Sequence, residues 1–424
     1  MKLHRSARPL VALVALAVGT GMMAGCSAAG TSEDEEGSQG GLPFGADKAA
    51  YIAAFEDVEP VVLEMQIAAA LGHPFNEVYL PYLDRVTEWS GGKITFDIAY
   101  ASARVPVQTE MDDALADGRL DLSFSVLPST EPDLYPESDA LATGSYLGGG
   151  GLVGSLVTNA LLVDESVNND ALRSEFEDAG MHLLLPNTPA LLTSTVVIAC
   201  RDAESADLPD EASLLVAVSG RARQSEAEAL GMTPVSIPWN EQFEGLQRGV
   251  ISCAAPSLAG YTAGGLVEVA PHVIIDARAA FAVQPSAFAV SQDTWDALPL
   301  VAKQLLFDSM GVYIEAAIDV GLTNSASVIT DIEDADGSIS ELSASKREAL
   351  ADAHERLWSD DATRERLTES AGRWRDLVES SLDEDALELS VGPALRDYTS
   401  GSIDFSAYID LLYQEVLLDS RPDA

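Results

Sequence analysis

Two closely spaced arginines are the strongest candidates for holding an anionic molecule. Arg221 and Arg223 begin a predicted helix, and guanidinium groups pair with carboxylates or phosphates through two parallel hydrogen bonds. The alternative is that both are surface residues that balance the nearby acids Glu226 and Glu228. The spacing alone leaves both interpretations open.

Four further side chains have the chemistry to complete a binding site. Trp239 and Tyr261 offer flat rings on which an apolar or ring-bearing molecule could stack, with core or hinge packing as an equal alternative. Glu241 could bind a ligand or orient its part of the chain. Phe75 follows the first predicted strand, at the carboxyl edge where open α/β sheets form their clefts.

Motifs for catalysis are weak in this sequence. The five histidines have no metal-ligand spacing, and His354-Glu355 begins a zinc-protease motif in which Trp358 stands where the second histidine belongs. Gly149, Gly151 and Gly154 fit a dinucleotide-binding fingerprint in spacing only, because no hydrophobic strand leads into them. We interpret this glycine run as a flexible connection. We therefore expect no catalysis, no cofactor and no metal site, and keep an extracellular hydrolase only as a distant alternative.

The charge balance excludes several partners. The 424 residues contain 24 Lys+Arg against 68 Asp+Glu, a formal net charge of −44. Nucleic acids and anionic lipid surfaces both require basic patches, so we expect neither as a partner. At 47% hydrophobic residues the chain has enough apolar material for sizeable cores, and such an acidic surface suits a salty environment.

The first residues read as a secretion signal. Three basic residues precede the apolar stretch Leu10–Val18, which is too short to span a bilayer. The segment that ends at Cys26 resembles a bacterial lipobox, which implies cleavage before Cys26 and lipid attachment to its sulfur. The alternative is an ordinary signal peptide. We expect a signal peptide over 1–25 and a flexible acidic tether over 26–56, with the protein anchored by lipid to the outer face of the bacterial cell membrane.

Two cysteines remain for the body of the protein. Cys200 and Cys253 both end β-like apolar runs, and an extracytoplasmic compartment favours a disulfide over two buried free thiols. Such a bond would close a loop of about 53 residues and stabilise the fold by on the order of 4 kcal/mol.

The body alternates strand-like and helix-like patterns, which predicts a largely parallel α/β sheet. Strands are predicted at 61–67, 94–98 and 120–124, with helices beginning near Pro81 and Val107. A long helix is predicted over Val301–Ile329, followed by helices near 344–358, 362–381 and 405–418.

Two stretches then carry a family resemblance. Leu80–Ile94 reads LPYLDRVTEWSGGKI, and Ala229–Ile251 reads ALGMTPVSIPWNEQFEGLQRGVI. Both resemble the extracytoplasmic solute-binding subunits of tripartite ATP-independent periplasmic (TRAP) transporters, the dicarboxylate-binding-protein-like family. Weaker matches lie at Val267–Pro271 and Trp295–Pro299.

The resemblance implies a two-lobed α/β, periplasmic-binding-protein-like fold with a hinge and a long bridging helix. We expect lobe I over 57–186 with 278–320, and lobe II with the C-terminal helices over 187–277 with 321–424. The resemblance also implies that a small organic solute, with a carboxylate among the candidates, binds in the cleft. The protein would then deliver this solute to TRAP-type membrane subunits. A sensing or scaffold lipoprotein without transport is the alternative.

The sequence departs from the family at its carboxylate clamp. The usual arginine position falls near Ala217, and Ser252 with Cys253 stands where the family has an aspartate. Arg221 or Arg223 could replace the missing arginine, although a side chain at the start of a helix points in a different direction from one in the preceding strand. The departure favours a solute that is less acidic or more apolar than a simple dicarboxylate.

Overall fold

A five-stranded sheet forms the centre of the first lobe. The computed structural model describes residues 41–423 apart from 188–195, 210–212, 277, 359, 390–395 and 397, and gives only the backbone at 129, 240, 259 and 388. The strands are β1 (Val61–Gln66), β2 (Ile94–Ala99), β3 (Leu122–Val126), β4 (Met181–Asn187) and β10 (Ser286–Ser291), in the order β2-β1-β3-β10-β4. The first three strands are parallel, as predicted, but β10 runs antiparallel between β3 and β4.

A six-stranded mixed sheet forms the centre of the second lobe. Its strands are β5 (Ile198–Cys200), β6 (Leu215–Ala217), β7 (Thr233–Val235), β8 (Cys253–Ala254), β9 (His272–Ile274) and β11 (Ser338–Ser340), in the order β11-β9-β5-β8-β6-β7. Cys200 and Cys253 are directly paired on antiparallel β5 and β8, with Cα atoms 4.1 Å apart, and form the predicted disulfide.

Helices cover these sheets and connect them. They are α1 (Lys48–Ala54), α2 (Leu80–Trp89), α3 (Met111–Ala116), α4 (Pro136–Gly144), α5 (Gly151–Asn168), α6 (Asp170–Asp178), α7 (Ala203–Ala206), α8 (Arg221–Ala229), α9 (Gln242–Gln247), α10 (Leu258–Ala263), α11 (Gln292–Ala297), α12 (Leu300–Asp308), α13 (Met310–Asp334), α14 (Ala344–Leu357), α15 (Asp361–Ser381), α16 (Glu384–Glu388) and α17 (Ser406–Glu415). Within the described part of the chain, no helix is long and apolar enough to cross a membrane.

Local sequence explains α2, the helix of the first matching stretch. Pro81 occupies its first turn, where the missing amide hydrogen costs no hydrogen bond. Tyr82, Leu83 and Val86 lie on one face and are buried against the first sheet. The helix ends at Ser90 because Gly91 follows with a left-handed φ of 63°.

The predicted long helix is interrupted. The structure divides Val301–Ile329 into α12 and α13 at Ser309, and the second part continues to Asp334. The interruption releases the Gly311 amide from the helical ladder, and this amide donates instead to the Tyr413 hydroxyl at 3.0 Å. Helix α13 contacts α2 in the first lobe and both α10 and β11 in the second, so it bridges the two lobes as the resemblance implied.

The C-terminal helices are divided between the lobes. Helix α14 packs on α8 of the second lobe, whereas α15 packs on α5 of the first. The lobe boundaries expected from the sequence stay a prediction; α15, which was expected with the second lobe, packs on α5 of the first.

The predicted acidic tether is wrong in its last part. Residues 48–54 form α1, which begins at Asp47, whose carboxylate accepts from the Ala50 amide at 2.9 Å. Tyr51 and Phe55 are each only 1% exposed, so apolar burial holds this segment on the body. The signal peptide, Cys26 and the remainder of the tether up to residue 40 lie outside the described residues.

Candidate functional site

A cleft lies where the two lobes meet. One wall is the Gly149–Gly151 turn that starts α5, and the other is the crossover segment 279–283, which runs from the second sheet towards β10 of the first. The cleft is partly open to solvent. Its lining residues are Gly149, Gly150, Gly151, Ser155, Thr158, Val196, Asp276, Ala279, Ala280, Phe281 and Val283.

The glycine run is a tightly packed turn, so its interpretation as a flexible connection is wrong. A methyl group on Gly148 would collide with the Thr158 side chain, and one on Gly154 would collide with the Gly149 carbonyl. Gly149 and Gly151 have φ values of 86° and 73°, a left-handed conformation that favours glycine. Glycine is therefore required here because the turn and the start of α5 approach each other closely.

The turn presents the start of an 18-residue helix to the cleft. The first amides of a helix have no partner within it and carry partial positive charge. Arg375 of α15 donates to the Gly148 carbonyl at 2.6 Å and so braces the turn from behind. Ser155 and Thr158 also line this wall, but their hydroxyl groups donate to the carbonyls of Gly151 and Gly154, each at 2.9 Å.

Asp276 supports the opposite wall. Its carboxylate accepts from the amides of Arg278 at 2.9 Å and Leu342 at 3.1 Å, and from the Arg347 guanidinium at 2.6 Å. Burial by itself would raise the pKa of Asp276, but these hydrogen bonds outweigh it and hold the pKa below its usual value. The ionised carboxylate fixes the start of the crossover segment.

Arg223 is occupied inside the second lobe. Its guanidinium donates to the Ala255 carbonyl at 2.7 Å and lies 3.2 Å from the Glu226 carboxylate. Burial lowers the pKa of Arg223, and the charge of Glu226 opposes this shift. Its guanidinium also lies 5.8 Å from the centre of the Phe281 ring, so it stands behind the cleft wall.

Arg221 points to the other lobe. It donates to the Asp139 carboxylate at 3.0 Å and to the Thr143 hydroxyl at 3.1 Å, both on α4, and to the Leu357 carbonyl at 3.1 Å. Among the described residues that line the cleft, neither arginine is present. The structure thus gives both arginines partners within the protein.

The other predicted residues lie apart from the cleft lining. Tyr261 is fully buried in the core, where its hydroxyl donates to the Ala270 carbonyl at 3.1 Å, so its packing alternative describes it better. Trp239 is 44% exposed and Glu241 is exposed beside it. Phe75 is half-buried, with its ring edge-on to Tyr79 at 6.0 Å.

Sequence reasoning missed the residues that form the walls. Asp276 and Phe281 follow β9 in a segment with no motif of its own, and only the fold brings them to the glycine turn. The Gly149–Gly154 spacing was a usable signal, but its meaning was close packing at a helix start.

Part of the chain that forms the cleft matches a known protein family. The model for bacterial extracellular solute-binding protein, family 7, matches residues 218–365. The resemblance to this family is confirmed. The matched segment includes α8, most of the second sheet and the whole crossover segment of the cleft.

One similar protein matches a short part of this chain. The ectoine-binding periplasmic protein TeaA of Halomonas elongata is 29% identical over 92 residues, which is 22% of this chain. The matching part spans about a quarter of TeaA, 26% of its length.

Solved structures share the fold. The sugar acid binding protein from Advenella mimigardefordensis, in complex with galactonate, has a TM-score of 0.61 at 15% identity and covers 75% of this chain and 100% of its own. An extracytoplasmic solute receptor of Bordetella pertussis that binds pyroglutamic acid has a TM-score of 0.57 at 13% identity, covering 74% and 99%. A marine metagenome TRAP solute binding protein in complex with 3-hydroxybenzoate has a TM-score of 0.58 at 16% identity, covering 76% and 99%. The predicted two-lobed α/β fold is confirmed.

Proposed function

We propose that this protein captures a small organic solute between its lobes and delivers it to a TRAP-type membrane transporter. The observation that carries this proposal is that the family-7 segment, residues 218–365, supplies one complete wall of the inter-lobe cleft. Small-molecule sites lie preferentially in clefts between domains. The role requires binding and release without catalysis.

The cleft chemistry favours a solute of modest charge. Phe281, Val283 and Val196 supply apolar surface, whereas the hydroxyl groups of Ser155 and Thr158 already donate to backbone carbonyls. Arg221 and Arg223 are held by protein carboxylates and carbonyls, so neither is available as a clamp in this arrangement. We infer a less acidic or more apolar solute than a dicarboxylate, with one carboxylate or a zwitterion as the upper range of charge.

Solute identity is open to direct measurement. We expect mass spectrometry of small molecules released from the natively purified protein to identify a compound of this class. We also expect that compound to raise the melting temperature, tested beside ectoine, pyroglutamate, galactonate and 3-hydroxybenzoate. Recovery of no small molecule, with no thermal shift across a metabolite library, would contradict solute capture.

The lipid anchor is part of the proposal. A signal over 1–25 with lipidated Cys26 would hold the protein at the outer face of the cell membrane, where it meets membrane subunits. Metabolic labelling with a fatty-acid probe should label the native protein and leave C26S unlabelled. Equal labelling of both forms would contradict the anchor, and solute capture would stand independently.

A further inference from the structure

An aromatic stack joins the lobes beside the cleft. Tyr146 precedes α5 in the first lobe, and its ring lies parallel to the ring of His354 on α14, with centroids 3.9 Å apart and planes 13° apart. The Tyr146 hydroxyl accepts a hydrogen bond of 2.8 Å from Trp358 Nε1. Since α5 packs on β4 and α14 packs on α8, this stack connects one lobe to the other.

A buried carboxylate lies behind the stack. Glu226 of α8 is 1% exposed, and its Oε1 lies 2.7 Å from His354 Nε2. The same Oε1 accepts from the Ala282 amide at 2.6 Å. One oxygen atom therefore holds both the ring that meets the first lobe and the crossover segment that forms the cleft wall.

The crossover segment is also tied to the first lobe. The amide of Val283, next to Ala282, donates to the Ser145 hydroxyl at 2.8 Å, and Ser145 directly precedes Tyr146. Consecutive amides of the wall are thus bound to the two sides of the stack. The segment cannot shift towards one lobe without stretching its bond to the other.

Burying this cluster costs free energy unless each member has its partner in place. A carboxylate removed from water loses its hydration, and removing one partner leaves an uncompensated buried charge. Glu226 Oε1 meets this requirement with the Ala282 amide and His354, and Oε2 lies 3.2 Å from Arg223 Nε as an ion pair without a hydrogen bond. Such an arrangement favours two discrete states, assembled and open, over a gradual deformation.

We propose that Glu226 and His354 are positioning residues that couple the seating of solute against segment 279–283 to closure of the lobes at Tyr146. The proposal rests on the proposed function and specifies which contacts would link solute binding in the cleft to closure of the lobes. A solute shifts such an equilibrium only by its difference in affinity between the two states, and contact with the wall supplies that difference. Coupling free energies between sites commonly correspond to about 5- to 150-fold effects.

The first test needs no solute. Y146A removes the stack and leaves every side chain that binds the Ala282 amide intact, whereas Y146F keeps the ring and removes only the hydroxyl. We expect amide hydrogen exchange in 279–283 to rise about tenfold in Y146A, with Y146F close to wild type. If Y146A is folded, as judged by thermal melting, and its amide exchange rate in 279–283 equals that of the wild type, the coupling is overturned.

The second test measures the lobes themselves. Spin labels at D113C on α3 and Q247C on α9, both exposed positions on opposite lobes, report the inter-lobe distance in the mature protein. Y146A and E226Q should each shift the solute-free distribution to longer or broader distances, with Y146F as the matched control. Distributions that superimpose on wild type in both variants would overturn the proposal.

A failed proposed function gives a different result. If the protein takes up no solute, ectoine and the other probes produce no thermal shift in wild type, while the two solute-free tests keep their expected outcomes. If only the coupling fails, a solute still raises the melting temperature, and Y146A leaves both exchange and distances unchanged.

Discussion

Arg221 of the second lobe donates a hydrogen bond of 3.0 Å to Asp139 of the first, so a residue that the sequence suggested for ligand binding connects the two lobes in this structure. The Arg221 side chain is 51% exposed and that of Asp139 is 17% exposed. Exposed ion pairs contribute at most about 1 kcal/mol because water screens them.

We therefore predict that R221Q lowers the free energy of unfolding by less than about 1 kcal/mol. Solute affinity, measured by calorimetry with the identified solute, should change by less than about tenfold. The reason is that losing the Arg221–Asp139 contact affects only the closure of the lobes. D139N is the matched control and should reproduce the effect. A loss of all binding in R221Q, with binding retained in D139N, would instead assign Arg221 to the solute.

The disulfide should contribute strongly to stability. Cys200 and Cys253 are both 0% exposed and 53 residues apart in sequence. Closing a loop of this length stabilises by about 4 kcal/mol in the chain-entropy description. We expect C200S/C253S to lose on the order of that free energy in denaturant unfolding, and reduction of the wild type to give a similar loss. An unchanged unfolding midpoint in both experiments would show that strand pairing alone holds β5 to β8.

The glycine turn provides a test of close packing. We predict that G154A lowers the free energy of unfolding by about 2 kcal/mol or more, because its methyl group would meet the Gly149 carbonyl. G372A is the matched control, since a Cβ on this α15 residue has no neighbour within 4 Å. Replacing a helical glycine by alanine should stabilise the protein by up to about 1 kcal/mol. Equal small effects of the two changes in denaturant unfolding would indicate that the turn relaxes freely.

The local pattern of the sequence predicted the individual elements well. The strands at β1, β2 and β3 and the helix α2 follow from apolar spacing and from Pro81 and Gly91, which are short-range signals. The insertion of β10 between β3 and β4 was not predictable in the same way. Its partners lie more than 90 residues earlier in the chain, and periodicity contains no information about them.

The site was harder to predict for a related physical reason. Arg221 and Arg223 have the residue type of a clamp, but partners from distant segments determine what they bind. Arg221 meets Asp139, 82 residues away, and Arg223 meets Ala255, 32 residues away. Residue type predicts possible chemistry, and only tertiary placement decides which groups are already used.

His182 gives a prediction about pH. It is stacked on Trp295 with ring centroids 3.9 Å apart, and burial, with a smaller effect of the Lys303 charge, lowers its pKa to about 4. An unfolded histidine binds its proton near pH 6.5, so between about pH 6.5 and 4 the unfolded state holds more protons than the native state. Stability should therefore fall as the pH falls through this window, by at most about 1.4 kcal/mol per pH unit from this group.

We expect H182Q to remove this component, so that its unfolding free energy depends less steeply on pH between 6.5 and 4 than that of the wild type. Chemical denaturation at half-unit pH intervals measures both slopes. H272Q is the matched control, because His272 is half-buried, lies in β9 and has Nδ1 3.0 Å from the Ser338 hydroxyl. Parallel curves for wild type and H182Q would mean that His182 titrates alike in the folded and unfolded chains, which its burial against Trp295 argues against.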